Sequence, residues 1–204
     1  MQPFTKVTGV AAPLPAENVN TDVIIRIERL TNADWTQTGP WAFEAWRYLP
    51  DGNPNPDFVM NKAPYRGAPI LIAGRNFACG SSREGAVLAL LSAGFRTVMA
   101  PSFGPIFFNN CFQNGMLPVV LPPETAQKFM EMAENEPGAE FTVDLETMTV
   151  TAPDGETVAF ELDEMRRQGL LQGLDDIGLT LSRSAEIDAF QKRDRAQRPW
   201  IYLS

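Results

Sequence analysis

The chain has no histidine and only two cysteines, Cys79 and Cys111. Without imidazole there is no Ser-His-Asp or Cys-His nucleophile, and the commonest metal ligand is missing. Two thiols alone cannot fill a zinc site or hold an iron–sulfur cluster, which want three or four ligands. Any metal is therefore expected to come from elsewhere. A disulfide between the two is not expected in a reducing cytosol. Positive charge is also scarce: 17 Lys and Arg against 25 Asp and Glu leave a net charge of −8. That disfavours nucleic acid and anionic membranes as partners, and an anionic substrate has to be held by local cations against the overall field. No apolar run is long enough to span a bilayer. The opening Met1-Gln2-Pro3-Phe4 lacks the basic and apolar stretches of a secretory leader. The expectation is a cytoplasmic protein.

The 204 residues are 44% hydrophobic and 21% charged, which suits a packed core and one large domain or a domain with an extension. No internal repeat or low-complexity tract is evident. Residues 5–10 read as a short strand. Asn18-Val19-Asn20-Thr21-Asp22 is a cluster of turn formers leading into the apolar Val23-Ile24-Ile25. Residues 31–66, rich in Trp, Asn, Gly and Pro, predict mostly loop with one short helix over 42–47. A loop of that length in a compact domain is functional or forms an interface.

The clearest unit spans 68–101. Ile70-Leu71-Ile72-Ala73 is a buried strand, Gly74 to Gly80 a loop, and Ser81 to Phe95 carries apolar residues at helical spacing closed by Gly94. Thr97 to Ala100 is a second strand, parallel to the first. A helix over 106–114, a strand over 117–121 and a helix over 123–133 follow. Segments 140–145, 148–151 and 156–162 alternate apolar and polar residues, as an antiparallel meander does, with Pro153-Asp154-Gly155 as a turn. Helices are expected over 163–171, stopped by Gly173, and over 184–193. Pro199-Trp200-Ile201-Tyr202-Leu203 is an apolar tail expected to dock on something. The expectation is an α/β domain of mixed sheet over 1–162 with a helical C-terminal extension over 163–204.

Gly80-Ser81-Ser82-Arg83-Glu84, at the start of the crossover helix, has two readings. Ser81 and Glu84 stand in the S-x-x-E relation of a capping box, which needs no function. The same residues also make an anion site. A helix N-terminus behind a glycine offers free N–H groups and the positive end of the dipole. Arg83 adds a fork suited to a carboxylate, and two hydroxyls stand beside it. The carboxyl end of a strand in an open α/β sheet is where ligands bind, and positive surroundings favour an ionised serine. Asn20-Thr21-Asp22 reads either as an Asx-type turn entering a strand or as a buried carboxylate, Asp22, that orients a cation or a neighbouring loop; Arg26 and Arg29 follow. In Asn109-Asn110-Cys111, Cys111 reads as a small packing group. Cys79 is the thiol beside the candidate site.

Asn76-Phe77-Ala78-Cys79-Gly80-Ser81-Ser82-Arg83-Glu84 resembles the signature of the aconitase swivelling domain, and Asn18-Val19-Asn20-Thr21-Asp22 resembles that domain's N-terminal signature. Trp46-Arg47-Tyr48, Asn55-Pro56-Asp57-Phe58, Ala100-Pro101-Ser102-Phe103, Asn109-Asn110-Cys111-Phe112 and the stretch Gly173 to Thr180 resemble one subfamily, the small subunits of bacterial 3-isopropylmalate dehydratase. The resemblance implies an aconitase-like swivelling β/β/α fold. It also implies a hydro-lyase of leucine biosynthesis that isomerises 2- and 3-isopropylmalate, active only with a large subunit that carries a [4Fe–4S] cluster.

By the same resemblance Ser81 is the base, Ser82 and Arg83 bind substrate carboxylate, and Thr21, Asp22 and Arg26 are further substrate-binding residues, with Asp22 supporting the active site. Arg26 lies in the stretch, about Ile25 to Leu30, where the family discriminates the substrate's side group. The partners implied are the large subunit and a small hydroxy-dicarboxylic acid, with self-association of the isolated chain as a further expectation. Two residues depart from the family pattern: Gly85 stands where histidine is usual, and Arg26 where proline is usual. Glycine near a helix start costs up to about 1 kcal/mol, so Gly85 is expected to make room for a larger substrate or a partner side chain. These departures leave three readings open: 3-isopropylmalate, a related diacid (homoaconitate, citraconate or dimethylmaleate), or a partner domain that has lost catalysis.

Overall fold

The structure, a computed structural model, describes residues 1–31, 34–80 and 84–202. In chain order the strands are β1 (Lys6–Leu14), β2 (Ile70–Ala73), β3 (Thr97–Ala100), β4 (Leu117–Val120), β5 (Glu140–Asp144), β6 (Thr149–Thr151) and β7 (Thr157–Ala159). The helices are α1 (Thr21–Ile24), α2 (Glu44–Arg47), α3 (Glu84–Ser92), α4 (Pro105–Asn114), α5 (Pro123–Asn135), α6 (Glu164–Gln172), α7 (Asp176–Leu181) and α8 (Ser184–Gln197). Short 3-10 turns punctuate the stretch between β1 and β2. Among the described residues no helix is long and apolar enough to cross a membrane.

The strands form one mixed sheet in the order β4-β3-β2-β1-β5-β6-β7. β1 to β4 pair in parallel, and β5 to β7 complete the sheet as an antiparallel meander. β1 joins the two halves. Its residues Lys6 to Val10 pair with β5, and Ala11 to Leu14 pair with β2. Pro13 therefore falls where β1 has a neighbour on one side only, and its missing N–H costs no ladder bond. Pro118 sits on β4, the outer strand, where the same reasoning applies.

Side chains alternate between two faces, as the period of a strand requires. Leu71, Ala73, Val98 and Ala100 join one core with Ala86, Val87 and Leu90 of α3 and with Phe43, Phe58 and Tyr65 from the stretch before β2. Ile70, Ile72, Met99, Leu117 and Val119 join a second core with Phe129 and Met130 of α5, Phe141 and Val150 of the meander, and Leu170 of α6. The central strands are covered on both sides, which is why β2 and β3 read as unbroken apolar runs.

Two expectations need correction. Val23-Ile24-Ile25 does not enter a strand: Asn20 caps α1, its Oδ1 accepting from the N–H of Val23 at 2.9 Å, and only Ile25 is extended. The cap overrode the β propensity of an apolar trio. The C-terminal region holds a helix that was not expected, α7, started by Asp175 whose Oδ1 accepts from Gly178 N at 2.7 Å. The tail folds against α8, with the Tyr202 hydroxyl donating to Asp194 Oδ2 at 2.8 Å, while Trp200 stays 65% exposed and Ile201 54% exposed.

Candidate active site

Three loops leave the carboxyl ends of the adjacent parallel strands β1, β2 and β3, and the middle one is stitched to both neighbours. On one side Asn18 N donates to Arg75 O, Cys79 N to Val19 O, and Thr21 N to Cys79 O at 3.0 Å. On the other side Phe77 N donates to Ser102 O, Gly104 N to Phe77 O, and Asn76 N to Ser102 Oγ. The Asn76 amide also donates to Asn18 Oδ1 at 2.8 Å. The loop takes this course by alternating in and out of the left-handed region: Asn76 has φ 57°, Ala78 φ 55° and Gly80 φ 99°, and Asn18 opposite has φ 53°. Such conformations cost of order 1 kcal/mol or more each for residues with a Cβ, and they gather at functional sites. Gly104 is required by the same packing, since a Cβ there would lie 2.3 Å from Ala78 O.

The loop delivers the chain to Gly80, the residue before Ser81. Ser81, Ser82 and Arg83 lie outside the described residues, so the base, the carboxylate ligands and the capping box are all expectations about that segment. Glu84, the first residue of α3, is exposed and accepts from the Asn114 amide at 3.0 Å. Thr21 is 2% exposed, and its Oγ1 would be 3.9 Å from a Cβ built on Gly80. The two signatures are thus brought together: Asn20 and Cys79 form a parallel bridge.

Asp22 is exposed, which corrects the expectation of a buried carboxylate, because α1 turns Thr21 and Ile24 inward instead. Arg26 lines a hollow of about 570 Å³ with Trp41, Glu44 and Tyr48, and the residues lining it include neither Thr21 nor Asp22. The Sγ of Cys79 donates to Asn18 O at 3.5 Å. Cys111 is fully buried, and burial pushes its thiol well above the ordinary value, as suits a packing group.

Sequence reasoning missed what holds the segment after α1. Arg29 donates to Glu44 through Nε at 3.1 Å and through Nη2, and its guanidinium lies 4.9 Å from the Trp41 ring centroid. The Arg29 hydrogen bond holds the Glu44 carboxyl below its ordinary value. Farther on, Ser92 at the end of α3 accepts from Gly39 N at 2.8 Å and donates to Thr36 O at 2.9 Å. At the start of α3 this chain's own Leu30 and Trp35 lie against the space left by Gly85. A Cβ on Gly85 would lie 2.6 Å from Leu30 Cδ2 and 3.0 Å from Trp35 Cζ3. The available signal was the glycine itself, set one residue into a helix.

Comparison with known proteins fits this geometry. The aconitase C-terminal domain model matches residues 1–124, a span that includes both signatures. A model described as LeuD_N matches 127–164, and one for the C-terminal domain of the 3-isopropylmalate dehydratase small subunit matches 176–202. A 3-isopropylmalate dehydratase small subunit of Agrobacterium fabrum is 51% identical over 200 residues, covering 98% of this chain and 100% of that protein. One from Rhodospirillum centenum is 52% identical over 200 residues, covering 98% of each. The chain belongs to the 3-isopropylmalate dehydratase small-subunit family.

A solved 3-isopropylmalate dehydratase structure from Methanocaldococcus jannaschii shares the fold, with a TM-score of 0.66 at 22% identity over 90% of this chain and 98% of that one. The small-subunit family thus accounts for the chain nearly end to end, including the C-terminal helices.

Proposed function

We propose that this chain is the small subunit of a two-subunit hydro-lyase that interconverts 2- and 3-isopropylmalate in leucine biosynthesis, in the cytoplasm. The observation that carries the reading is the bridge between Asn20-Thr21 and Cys79-Gly80 at the carboxyl ends of parallel strands, immediately before Ser81. Likeness over 98% of the chain to proteins named as that small subunit supports the substrate.

In this reading Ser81 takes the proton from the carbon beside the hydroxyl-bearing one while the C–O bond breaks, so that H and OH leave together as water and a C=C bond forms. Water then adds the other way round, OH to the carbon that lost the proton and the proton, from Ser81, to the carbon that lost the hydroxyl. Ser82 and Arg83 hold a substrate carboxylate, the arginine by its two-pronged fork. The N–H groups and dipole of the first turn of α3 favour the ionised hydroxyl and the bound anion. Thr21 and Asp22 brace the segment from α1, and Arg26 stands in the stretch that faces the substrate's side group.

The [4Fe–4S] cluster of this reading does not fit the donors of this chain. It has two cysteines and no histidine. Cys111 is buried and held as a thiol, and no three His, Cys, Asp or Glu side chains cluster among the described residues. In this reading the large subunit carries the cluster.

The test is the complex reconstituted with its large subunit and assayed on a panel of hydroxy-diacids. Isopropylmalate should be the preferred substrate, and preference for homoaconitate, citraconate or dimethylmaleate would move the assignment to that acid. Ser81→Ala should lower kcat by a factor of about 10² to 10⁴, the usual worth of a positioned proton acceptor, while the complex still co-purifies. Undiminished turnover in that variant would overturn the base assignment.

A further inference from the structure

The loop that ends at Gly80 continues the parallel pairing of the sheet past β2. Cys79 bridges to Asn20 on the β1 side, and Phe77 bridges to Phe103 on the β3 side. The loop enters this course at Asn76, where all three loops meet. The Asn76 backbone N–H donates to Ser102 Oγ at 2.9 Å, on the β3 side. Its side-chain amide donates to Asn18 Oδ1 at 2.8 Å, on the β1 side. Asn18 N donates to Arg75 O at 2.9 Å, so side chain and backbone tie the same two loops at one place.

Both asparagines stand in the left-handed region, Asn76 at φ 57° and Asn18 at φ 53°. Asparagine and aspartate are among the few residues with a side chain that enter this region readily. Glycine enters it more freely but brings no amide. Each position has to make the bend and carry a hydrogen-bonding group at once, and asparagine does both. The ion pair beside them, Arg75 Nη2 to Glu17 Oε2 at 3.2 Å, is exposed on both sides and holds the loops less firmly.

We infer that Asn18 and Asn76 are a positioning pair for the reaction. Their hydrogen bond clamps the β2 loop to the β1 loop and so fixes the direction in which the chain enters Ser81. Beyond the clamp, Cys79 N donates to Val19 O at 3.1 Å and Thr21 N donates to Cys79 O at 3.0 Å. The register set at Asn76 is thereby carried to Gly80, the residue before Ser81. The inference rests on the reading of Ser81 as the base, and adds what aims it.

The experiment measures kcat and KM for 3-isopropylmalate in full chains reconstituted with the large subunit. Asn76→Gly and Asn18→Gly keep the bend and delete the amide. Each should lower kcat about tenfold, inside the roughly hundredfold that a misplacement of about 1 Å costs, with KM and the urea midpoint little changed. The double glycine variant should fall no further than either single one, because the two residues share one interaction. Asn18→Asp and Asn76→Asp both tolerate the bend and add the same charge at nearly the same place. Only the first keeps the hydrogen bond: a carboxylate at 18 still accepts from the Asn76 amide, whereas a carboxylate at 76 has no proton to donate. Asn18→Asp should therefore retain most of the turnover that Asn76→Asp loses.

Normal kcat in Asn76→Gly would overturn the inference. So would losses that multiply in the double variant, or an Asn18→Asp chain that falls as far as Asn76→Asp. A urea midpoint that drops in step with kcat would mark a merely structural pair and count equally against it. Amide hydrogen exchange in the isolated chain separates the clamp from the proposed function. Cys79 and Thr21 should exchange faster in Asn76→Gly, and unchanged exchange overturns the clamp whatever the complex turns over. A wild-type complex inactive on every diacid, with exchange still faster in the variant, sinks the reading of Ser81 and leaves the clamp standing.

Discussion

The loops at the ends of β1, β2 and β3 and the helices α7 and α8 treat their residues in opposite ways. Phe77 in the middle loop is fully buried, packed edge-on to Phe103 at 6.4 Å and to Phe107 at 5.6 Å. Around it the backbone is bound on both sides and bent into conformations that only surrounding structure can maintain. In the C-terminal helices the large apolar residues face outward instead: Ile177 is 70% exposed, Leu181 65% and Phe190 51%. Polar ties there are mostly local. Tyr202 and Arg198 both bind Asp194, and they hold its carboxyl below the ordinary value. The first region spends its apolar surface on holding backbone in place. The second leaves its apolar surface uncovered in the single chain.

That contrast predicts a graded set of losses. Phe77→Ala should be the most damaging, lowering unfolding free energy by about 3–5 kcal/mol in a urea titration. Gly104→Ala should follow at about 1–3 kcal/mol, the range for forcing extra atoms into a packed site. Its Cβ would meet backbone, Ala78 O at 2.3 Å and Cys79 Cα at 2.9 Å, which cannot swing aside as a side-chain tip can. In the reconstituted enzyme the same change should also depress turnover, because it displaces the loop that ends at Gly80. A Gly104→Ala chain with unaltered unfolding midpoint would mean that the loops are looser than their hydrogen bonds suggest.

A smaller effect belongs to the pair that holds the segment after α1. Glu44 gives up its proton more readily in the folded chain, chiefly because Arg29 donates to it. The stabilisation is therefore complete above the ordinary carboxylate range and drains away as pH falls through the lowered folded value. With the Arg29 side chain 40% exposed and that of Glu44 20% exposed, about 1 kcal/mol or less is expected. Glu44→Gln should remove that part of the pH dependence. Urea midpoints at pH 7 and pH 4 that fall equally in variant and wild type would discount the pair.

Much of this was legible in the sequence wherever one kind of signal acted alone. Ile70–Ala73 and Thr97–Ala100 are strands because apolar runs buried on both faces are bounded by Gly74 and Gly94. α6 ends where Gly173 adopts φ 68°, as its position after an apolar helix implied. The meander was readable from alternation and from the turn at Asp154-Gly155. What was not legible depended on partners distant in sequence. β1 runs on through Pro13 because its neighbour changes from β5 to β2 at Ala11, and the residues around Pro13 do not announce that change. Asp22 turns outward because α1 forms, and α1 forms because Asn20 caps it, against the β propensity of Val23 and Ile24. At the site, the resemblance named both signatures but not the bridge between Asn20 and Cys79, and that bridge, like the packing of Leu30 and Trp35 against Gly85, depends on how the chain folds back on itself. Ser81, Ser82 and Arg83 rest on sequence alone.

The smallest effects should come from the exposed apolar residues, and they test the other half of the contrast. Trp200 and Phe190 have more than half of their surface in water in this chain, so truncating either removes few contacts that folding made. Phe190→Ala and Trp200→Ala should each leave the unfolding free energy of the isolated chain within about 0.5 kcal/mol of wild type, as substitutions away from packed features do. The comparison is sharp because phenylalanine is cut to alanine in both regions: position 77 should cost several kcal/mol and position 190 close to nothing. A loss at Phe190 approaching that at Phe77, in the same buffer and with the same slope against urea, would mean that α8 is packed onto the body or onto a second copy in solution. The unequal treatment of apolar residues in the two regions would then be a property of the single chain and not of the protein.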